Sequence, residues 1–214
     1  MVTEKEFYDA LSGRIGKDDA CRLKNATVGI AGLGGLGSNI AMLLARTGVG
    51  KLVIADDDTV ELSNIHRQCY PLDSIGMKKT DAIEKEIAKI NPFCMVEKHD
   101  IRLTKDNIGI FSGCDVVCEA FDDADSKIML IEKLSEMDKK VVSGNGMAGK
   151  GPANSIVTRK VGNGLYICGD GVSDVKEEGS LMPSRVSVCA AHQANAVIRI
   201  ISGLQAERPD DIYE

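Results

Sequence analysis

A glycine-rich segment near the start of the chain has the spacing of a phosphate-binding loop. Residues 32–37 are GLGGLG, which satisfies the pattern G-x-G-x-x-G. Glycines at these positions allow a tight turn and let backbone N–H groups approach phosphate oxygens. Asp56 ends the next predicted strand, about where an acid that binds a ribose is expected. Alone, these residues point first to a dinucleotide-dependent dehydrogenase, and the plain alternative is a turn that needs glycine only for packing.

The segment that follows Asp56 adds polar and cationic side chains that a hydride-transferring site does not need. Asn64, Arg67 and Lys79 are placed so that they can converge on a highly charged polyphosphate. Arginine offers a fixed fork to phosphate oxygens, and lysine offers a movable point charge. The alternative is that Asp56–Asp58 form a solvated turn and that the two cations lie on the surface.

Two adjacent acids, Asp122 and Asp123, follow the predicted strand Asp115–Ala120. The carboxyl ends of parallel strands form the edge at which α/β proteins bind ligands. A carboxylate at that edge is a suitable Mg²⁺ ligand, with waters completing the coordination shell. The alternative is that these acids only begin the next helix. Cations together with a metal-binding acid indicate chemistry at a phosphate rather than at a nicotinamide ring.

Alternating strands and helices position these side chains. The predicted strands are Thr27–Ala31, Lys51–Ala55, Cys94–Lys98, Asp115–Ala120 and Val141-Val142, and the predicted helices are Leu36–Thr47, Met77–Ile90 and Ser126–Met137. Such alternation implies right-handed crossovers between parallel strands. We therefore predict an α/β, Rossmann-like and largely parallel sheet with helices on both faces.

The pattern changes after Ser143, because residues 144–179 hold nine glycines and few long apolar stretches. The elements predicted there and beyond are strands at Asn154–Thr158 and Leu165–Cys168 and a closing helix at Arg185–Ile201. We predict a single domain with a nucleotide-binding part at 1–143. The second part, 144–214, is expected to contain long loops, antiparallel strands and the closing helix.

Composition excludes several classes of protein. Lys and Arg total 26 against 32 Asp and Glu, a net charge of -6, which disfavours nucleic-acid and anionic-membrane binders because both need a basic face. The uncharged run Asn25–Ala45 holds five glycines, so a membrane span is not expected. Seven cysteines without a C-x-x-C pair, and no apolar stretch of signal-peptide length at the start, predict a reduced cytoplasmic protein.

The ordered motifs resemble those of the ThiF/MoeB/HesA family, relatives of the ubiquitin-activating enzymes. They are GLGGLGS from Gly32, D-x-D-x-V-x-x-S-N-x-x-R-Q from Asp56, Gly76-Met77-Lys78-Lys79 and Ile90-Asn91-Pro92. The resemblance extends from Arg14 to about Gly149. Two later stretches, Tyr166–Gly171 and Cys189–Asn195, look like the short form of ThiF.

The resemblance implies a role for each candidate residue. The nucleotide-binding residues that it implies are Gly32, Gly34, Gly35, Asp56, Asp58, Ser63, Asn64, Arg67, Lys79 and Asp123. The catalytic residues that it implies are Arg14, Arg67, Lys79 and Asp122. Gly35 would contact a phosphate and Asp56 the ribose, Asp122 would bind the metal, and Arg14 would reach the ATP of a partner subunit.

The implied reaction is adenylylation of the C-terminal glycine of a small ubiquitin-like sulfur carrier, with ATP and Mg²⁺. The expected carrier is ThiS-like and serves thiamine thiazole synthesis. The alternatives are a MoaD-like carrier for molybdenum cofactor, an NAD-dependent oxidoreductase and a non-catalytic carrier-binding protein. The resemblance also implies a homodimer, a separate sulfur-donor protein and, within Gly144–Gly179, a groove for the carrier's tail.

The cysteines carry two further expectations. Longer family members hold a structural zinc with two C-x-x-C pairs, and because those pairs are absent here we expect no structural zinc. Some relatives link a cysteine covalently to the carrier, and Cys168 is the candidate by position, with a buried thiol as the alternative. The cysteines predicted to lie in the core are Cys69, Cys94, Cys114, Cys118 and Cys189. His66 and His192 are assigned no role.

Overall fold

A computed structural model describes residues 2–206. Met1 of the predicted nucleotide-binding part and residues 207–214 of the predicted second part lie outside the described residues. Seven strands form one sheet in the order β3-β2-β1-β4-β5-β7-β6. They are β1 (Thr27–Ala31), β2 (Lys51–Ala55), β3 (Met95–His99), β4 (Val116–Glu119), β5 (Lys140–Gly144), β6 (Val157–Lys160) and β7 (Leu165–Gly169). All neighbouring strands are parallel except β6 and β7.

Helices lie on both faces of this sheet. They are α1 (Glu4–Ile15), α2 (Lys17–Asn25), α3 (Gly35–Thr47), α4 (Lys79–Ile90), α5 (Ala124–Glu136), α6 (Val175–Glu178) and α7 (Pro183–Ile201). Short 3₁₀ helices occur at Leu62–Asn64, Leu72–Ser74, Ile108–Phe111 and Ala153–Ser155. Among residues 2–206, no helix is both long enough and apolar enough to cross a lipid bilayer.

Alternation of side chains along the strands explains the two layers of helices. Val28 and Ile30 of β1 belong to the core that includes residues of α3, α4 and α7. Ala31 belongs to a second core with Phe111 and Leu130 of α5. Because successive strand residues point to opposite faces, a run of apolar residues must be covered on both sides. The predicted Rossmann-like fold class is confirmed.

The helix predicted at Met77–Ile90 begins two residues later, at Lys79. Lys78 is held in an extended conformation by an antiparallel bridge to Thr59, which delays the helix. The strand predicted at Asn154–Thr158 lies instead at Val157–Lys160, because Ala153–Ser155 form a 3₁₀ turn. The bounds predicted for β1 and β2 are confirmed.

Two helices precede Thr27, a segment for which no element was predicted. Helix α1 begins with a capping box in which Thr3 and Glu6 satisfy each other's backbone N–H groups. The Thr-x-x-Glu spacing was therefore a usable signal. The helix packs through Tyr8 and Leu11 near Gly48, where α3 ends.

Candidate functional site

The glycine loop connects the carboxyl end of β1 to the start of α3. Gly32 has a φ of +89°, and a Cβ there would lie 3.0 Å from the carbonyl oxygen of Ala120. A Cβ on Gly37 would lie 1.9 Å from the carbonyl oxygen of Gly32. Both positions therefore require glycine for backbone packing, so the packing interpretation holds for this half of the motif.

Gly34 has more room than the other glycines of the motif. A Cβ on Gly34 would meet nothing closer than 3.9 Å, and the first turn of α3 has no side-chain cap on its N–H groups. Uncapped N–H groups at a helix start are ready donors for an anion. Gly34 and Gly35 therefore present backbone donors at the carboxyl edge of the sheet, as a phosphate requires.

Asp56, directly after β2, fastens this loop. Its carboxylate accepts the N–H of Leu33 at 2.6 Å and the N–H of Asp58 at 2.8 Å, and its side chain is 8% exposed. Burial raises the pKa of Asp56, against the opposing effects of Lys79 and of the two backbone donors. The contact with Leu33 is a structural role that sequence reasoning missed. The ribose role stays a prediction.

Lys79, the first residue of α4, lies beside the same acids. Its Nζ donates to Oδ2 of Asp58 at 2.6 Å and lies 3.8 Å from Oδ1 of Asp56. The Lys79 side chain is 7% exposed, whereas that of Asp58 is 66% exposed. The lysine is therefore held in place and is not a solvated surface charge.

Arg67 lies across the glycine loop. Its Cγ is 3.6 Å from the position that a Cβ on Gly35 would take, and its Nη1 donates to the carbonyl oxygen of Ser63 at 3.1 Å. Asn39 of α3 joins the two segments, because its Nδ2 donates to the carbonyl oxygens of Gly35 and Arg67 at 2.6 and 3.0 Å. The loop, Arg67 and Lys79 are thus assembled at one edge of the sheet.

Ser63 and Asn64 lie in the turn that precedes Arg67, where their side chains make local contacts. The hydroxyl of Ser63 donates to Glu61 at 3.2 Å, and Oδ1 of Asn64 accepts the Glu61 N–H at 3.0 Å. His66, to which we assigned no role, lies 3.0 Å from the carbonyl oxygen of Ser63 and 3.3 Å from that of Leu181. It therefore connects this turn with the segment before α7.

The two acids after β4 differ in their contacts. Asp123 caps α5 by accepting the N–H of Ser126 at 2.8 Å, and this hydrogen bond lowers the pKa of Asp123. Its position fits the alternative that it begins a helix. Asp122 is exposed, and within the described part of the chain its carboxylate has no hydrogen bond or ion pair. Asp122 directly follows Phe121, which packs against Gly32, and an exposed carboxylate there fits one ligand of a hydrated Mg²⁺.

One acidic cluster has metal-ligand spacing. It consists of Asp56, Asp57 and Asp58, which can place their carboxylate oxygens within 4.8 Å of one another. Within residues 2–206, no other group of three or more His, Cys, Asp or Glu side chains meets this distance. Asp122 does not belong to this group. The ammonium of Lys79 already contacts two of its members, so much of the negative charge is compensated by the protein.

Sequence reasoning also passed over Glu119, the last residue of β4. This glutamate is fully buried, and its carboxylate accepts hydrogen bonds from Phe121, Ser143 and Lys127. Gln193 of α7 donates to the backbone carbonyl of Glu119 at 3.1 Å. A buried acid within a strand has no periodic signal, because it interrupts the apolar pattern rather than continuing it.

Arg14 is not brought to this site within one chain. It is exposed near the end of α1, a helix that packs through Tyr8 and Leu11 near Gly48. Gly48 lies where the parallel strands begin, whereas the glycine loop lies where they end. The role of Arg14 across a subunit boundary therefore stays a prediction.

Most of the predicted core cysteines are buried, but Cys69 is only partly so; its Sγ lies 3.1 Å from Oδ1 of Asn39. Cys168 is fully buried beside Thr158, and burial raises its pKa to about 11. A thiol with that pKa is mostly protonated near neutral pH and is a poor nucleophile. The geometry favours the buried-thiol interpretation of Cys168.

Comparisons with known proteins identify relatives of this chain. The model of the ThiF family matches residues 8–212. "Adenylyltransferase and sulfurtransferase UBA4" of Scheffersomyces stipitis is 37% identical over 132 residues, which cover 61% of this chain and 30% of that protein. "Adenylyltransferase and sulfurtransferase MOCS3" of Drosophila yakuba is 33% identical over 86% of this chain and 42% of that protein.

A third relative carries a different name. "tRNA threonylcarbamoyladenosine dehydratase" of Bacillus subtilis is 37% identical over 64% of this chain and 55% of that protein. The chain therefore spans roughly a third to a half of the length of the curated relatives that it matches.

Solved structures share the fold. The tRNA N6-threonylcarbamoyladenosine dehydratase TcdA of E. coli, in complex with ATP, superposes with a TM-score of 0.84 at 21% identity. The match covers 95% of this chain and 97% of that one. E. coli MccB with AMPCPP and MccA has a TM-score of 0.73 at 21% identity, covering 98% of this chain and 66% of that one.

Proposed function

Since the chain belongs to the ThiF family, we propose that it is an ATP-dependent adenylyltransferase that activates the C-terminal glycine of a small ubiquitin-like carrier protein. The observation that carries this proposal is the meeting of three features at one sheet edge. They are the uncapped start of α3, Arg67 across Gly35, and Lys79 beside Asp56. This arrangement suits a polyphosphate, and the names of the UBA4 and MOCS3 relatives support the same reaction.

The chain contributes positioning and charge to the reaction. A carboxylate oxygen of the carrier attacks the α-phosphorus of ATP, the bond from that phosphorus to the bridging oxygen breaks, and pyrophosphate leaves with the electron pair. The products are an acyl adenylate and pyrophosphate. No proton is transferred from the nucleophile, because a C-terminal carboxyl is ionised near neutral pH. Arg67 and Lys79 reduce the repulsion between the two anions.

Asp122 would hold Mg²⁺, which when bound would neutralise charge on the phosphates. Asp123, Ser63 and Asn64 would lie near the nucleotide, and Asp56 would bind the ribose. Arg14 would reach the ATP of the partner in a homodimer.

An NAD-dependent oxidoreductase is the weaker alternative. It accounts for the glycine loop and for Asp56, but it gives no function to the buried Lys79 or to Arg67. Two cations at one sheet edge would instead favour a ligand with more negative charge than a dinucleotide.

We assign nucleotide binding to residues 1–143 and carrier binding to 144–214. A cavity of about 200 Å³ lies at the start of α7, and it is lined by Lys150, Gly151, Ala153, Met182, Ser184 and Arg185. Val186, the residue that follows the lining residue Arg185 in α7, lies 3.0 Å from the position of a Cβ on Gly35. This cavity is the proposed entry of the carrier's tail.

A ThiS-like carrier for thiamine thiazole synthesis is the proposed partner, and a MoaD-like carrier is the alternative. A separate cytoplasmic protein would supply the sulfur. The tRNA dehydratase relative adds a tRNA as a further substrate to test, although the net charge of -6 does not favour RNA.

The test is ATP–pyrophosphate exchange with purified ThiS-like and MoaD-like carriers and with tRNA. We expect carrier-dependent exchange, which Arg67→Ala and Lys79→Ala each lower by about 10²-fold, or ~3 kcal/mol. Lys85→Ala is the matched control, since Lys85 is an exposed lysine on the same helix. Equal exchange by all variants would refute the assignment of the two cations. Calorimetry with ATP and NAD separates the two enzyme classes.

A further inference from the structure

The carboxylate of Glu119 is surrounded by donors. Its Oε1 accepts the N–H of Phe121 at 2.7 Å. Its Oε2 accepts the hydroxyl of Ser143 at 2.6 Å and the ammonium of Lys127. Since the residue is fully buried, its charge is compensated only by these contacts.

The hydrogen bond to Phe121 fixes the loop that carries Asp122. On its other side, this loop packs on the glycine loop. The carbonyl oxygen of Ala120 and Cδ1 of Phe121 lie 3.0 and 3.1 Å from the position of a Cβ on Gly32. The residues just before Asp122 are therefore held between Glu119 and the phosphate-binding loop.

Two side chains that contact Glu119, those of Lys127 and Gln193, also bind the neighbouring strand β5. Lys127 of α5 also donates to the carbonyl oxygen of Gly144, the last residue of β5, at 3.0 Å. Gln193 of α7 donates to the backbone carbonyls of Glu119 and Val142, at 3.1 and 3.0 Å. Residues of β4, β5, α5 and α7 thus meet at one buried acid.

We propose that Glu119 is a positioning residue that sets the place of the Asp122 carboxylate beside the phosphate loop. The inference rests on the proposed function, in which Asp122 is a ligand of the metal ion that accompanies ATP. Substitution of a residue that orients a metal ligand typically lowers metal affinity about 10- to 100-fold, and we expect an effect of this size here.

The Glu119→Gln variant tests the role because an amide cannot satisfy the same partners. It offers one accepting oxygen and one donating NH₂ group. The Ser143 hydroxyl can turn to accept, but the Phe121 N–H and the Lys127 ammonium cannot. Either the Phe121 N–H therefore loses its acceptor, or the Lys127 ammonium keeps only the carbonyl oxygen of Gly144.

The measurement uses Mn²⁺ as the probe, with binding to the protein–ATP complex followed by electron paramagnetic resonance. We expect Glu119→Gln to weaken Mn²⁺ binding about tenfold. Calorimetry of ATP without a divalent cation should show less than about a twofold change, because Arg67 and Lys79 are untouched.

The double variant Glu119→Gln/Lys127→Met provides a rescue. Without the ammonium, the glutamine oxygen is free to accept the Phe121 N–H while its NH₂ group donates to Ser143. We expect Mn²⁺ affinity to return to within about threefold of the wild-type value.

Asp170→Asn is the stability control, because it weakens the buried contact of Asp170 with Arg185, outside this cluster. It should lower the unfolding temperature without changing Mn²⁺ affinity. Unchanged Mn²⁺ affinity in Glu119→Gln, with ATP binding intact, would overturn the positioning role. Failure of the wild-type protein to bind ATP would overturn the proposed function instead.

Discussion

One ion pair of the nucleotide-binding part and one of the glycine-rich second part differ in how far their charged groups are exposed to solvent. Lys79 is paired with Asp58, whose side chain is 66% exposed. Arg185 and Asp170 are paired at 2.5 Å with side chains only 4% and 8% exposed. The first pair leaves charge available to a ligand, whereas the second uses its charge within the protein.

The difference follows from how each part is held together. In the first part, apolar strand residues pack against helices on both faces, and Asp58 after β2 can extend into solvent. In the second part, Arg185 also donates to the carbonyl oxygen of Pro152, and Asp170 accepts the N–H groups of Val172 and Ser173. Buried polar contacts hold these loops where few apolar residues are present.

The largest expected effect tests this comparison directly. Arg185→Met leaves Asp170 buried without its cation and should cost about 3–5 kcal/mol of unfolding free energy. Lys79→Met should cost less than Arg185→Met, because Asp58 is largely in solvent and buried Asp56 keeps two backbone N–H donors. Urea unfolding of both variants is the measurement. Similar losses in the two variants would show that the pairs do not differ as proposed.

The next effect separates two kinds of glycine in the loop. Gly37→Ala puts a Cβ 1.9 Å from the Gly32 carbonyl oxygen and should destabilise the protein by about 3 kcal/mol. Gly34→Ala has no atom closer than 3.9 Å and should stay within about 1 kcal/mol of wild type. It should still weaken ATP binding, since its methyl group lies where a phosphate approaches. Thermal unfolding and ATP calorimetry together decide this; full ATP affinity in Gly34→Ala would contradict the phosphate role.

A smaller effect is expected in the pH dependence of stability. When the pKa of an acid differs by one unit between the folded and unfolded states, its contribution to the free energy of unfolding is about 1.4 kcal/mol. Burial alone would raise the pKa of Asp170, but the hydrogen bonds from Ser173 and Val172 and the Arg185 charge lower it. Its contribution is therefore present above about pH 4 and lost as the pH falls through the folded-state pKa. Burial raises the pKa of Asp56, so stability should decrease as the pH rises from about 4 through that value.

Urea unfolding between about pH 3 and about pH 7 measures both signs. Asp170→Asn should reduce the loss of stability in acid, and Asp56→Asn should reduce the decline above about pH 4. Equal pH profiles for wild type and both variants would show that neither acid has a shifted pKa in the folded state.

The smallest effect concerns thiol reactivity. Cys21 is exposed, whereas Cys168 is buried with a pKa of about 11, so iodoacetamide should label Cys21 well before Cys168 in the folded protein. Cys168→Ala should leave pyrophosphate exchange unchanged. Rapid labelling of Cys168, or a carrier linked to it on mass spectrometry, would revive the covalent alternative.

The sequence predicted those parts of the molecule that depend on local pattern. A short apolar run before a glycine motif located β1, and the spacing of Arg67 and Lys79 predicted cations that the fold places at the same sheet edge as the loop. Asp122 was proposed as a metal ligand from its place after a predicted strand, whereas Arg14 was proposed only from family resemblance. The described contacts place the two residues before Asp122 against Gly32, whereas the helix that carries Arg14 packs near Gly48 at the other end of the sheet.

The missed features depend on contacts between distant segments. Glu119 meets Lys127 and Ser143, and Asp170 meets Arg185, only after the chain has folded. No spacing rule relates such pairs, because a buried acid is stabilised by whichever donors surround it. Helix α1 is a different case, since its capping box was visible in the sequence and was overlooked.

The contact between Val186 and Gly35 has an electrostatic consequence. It brings the first turn of the 19-residue helix α7 against the first turn of α3. Each helix start carries roughly half a positive charge from its aligned peptide dipoles. Two such ends therefore contribute a positive potential that belongs to the backbone, does not titrate and survives the loss of any single cationic side chain.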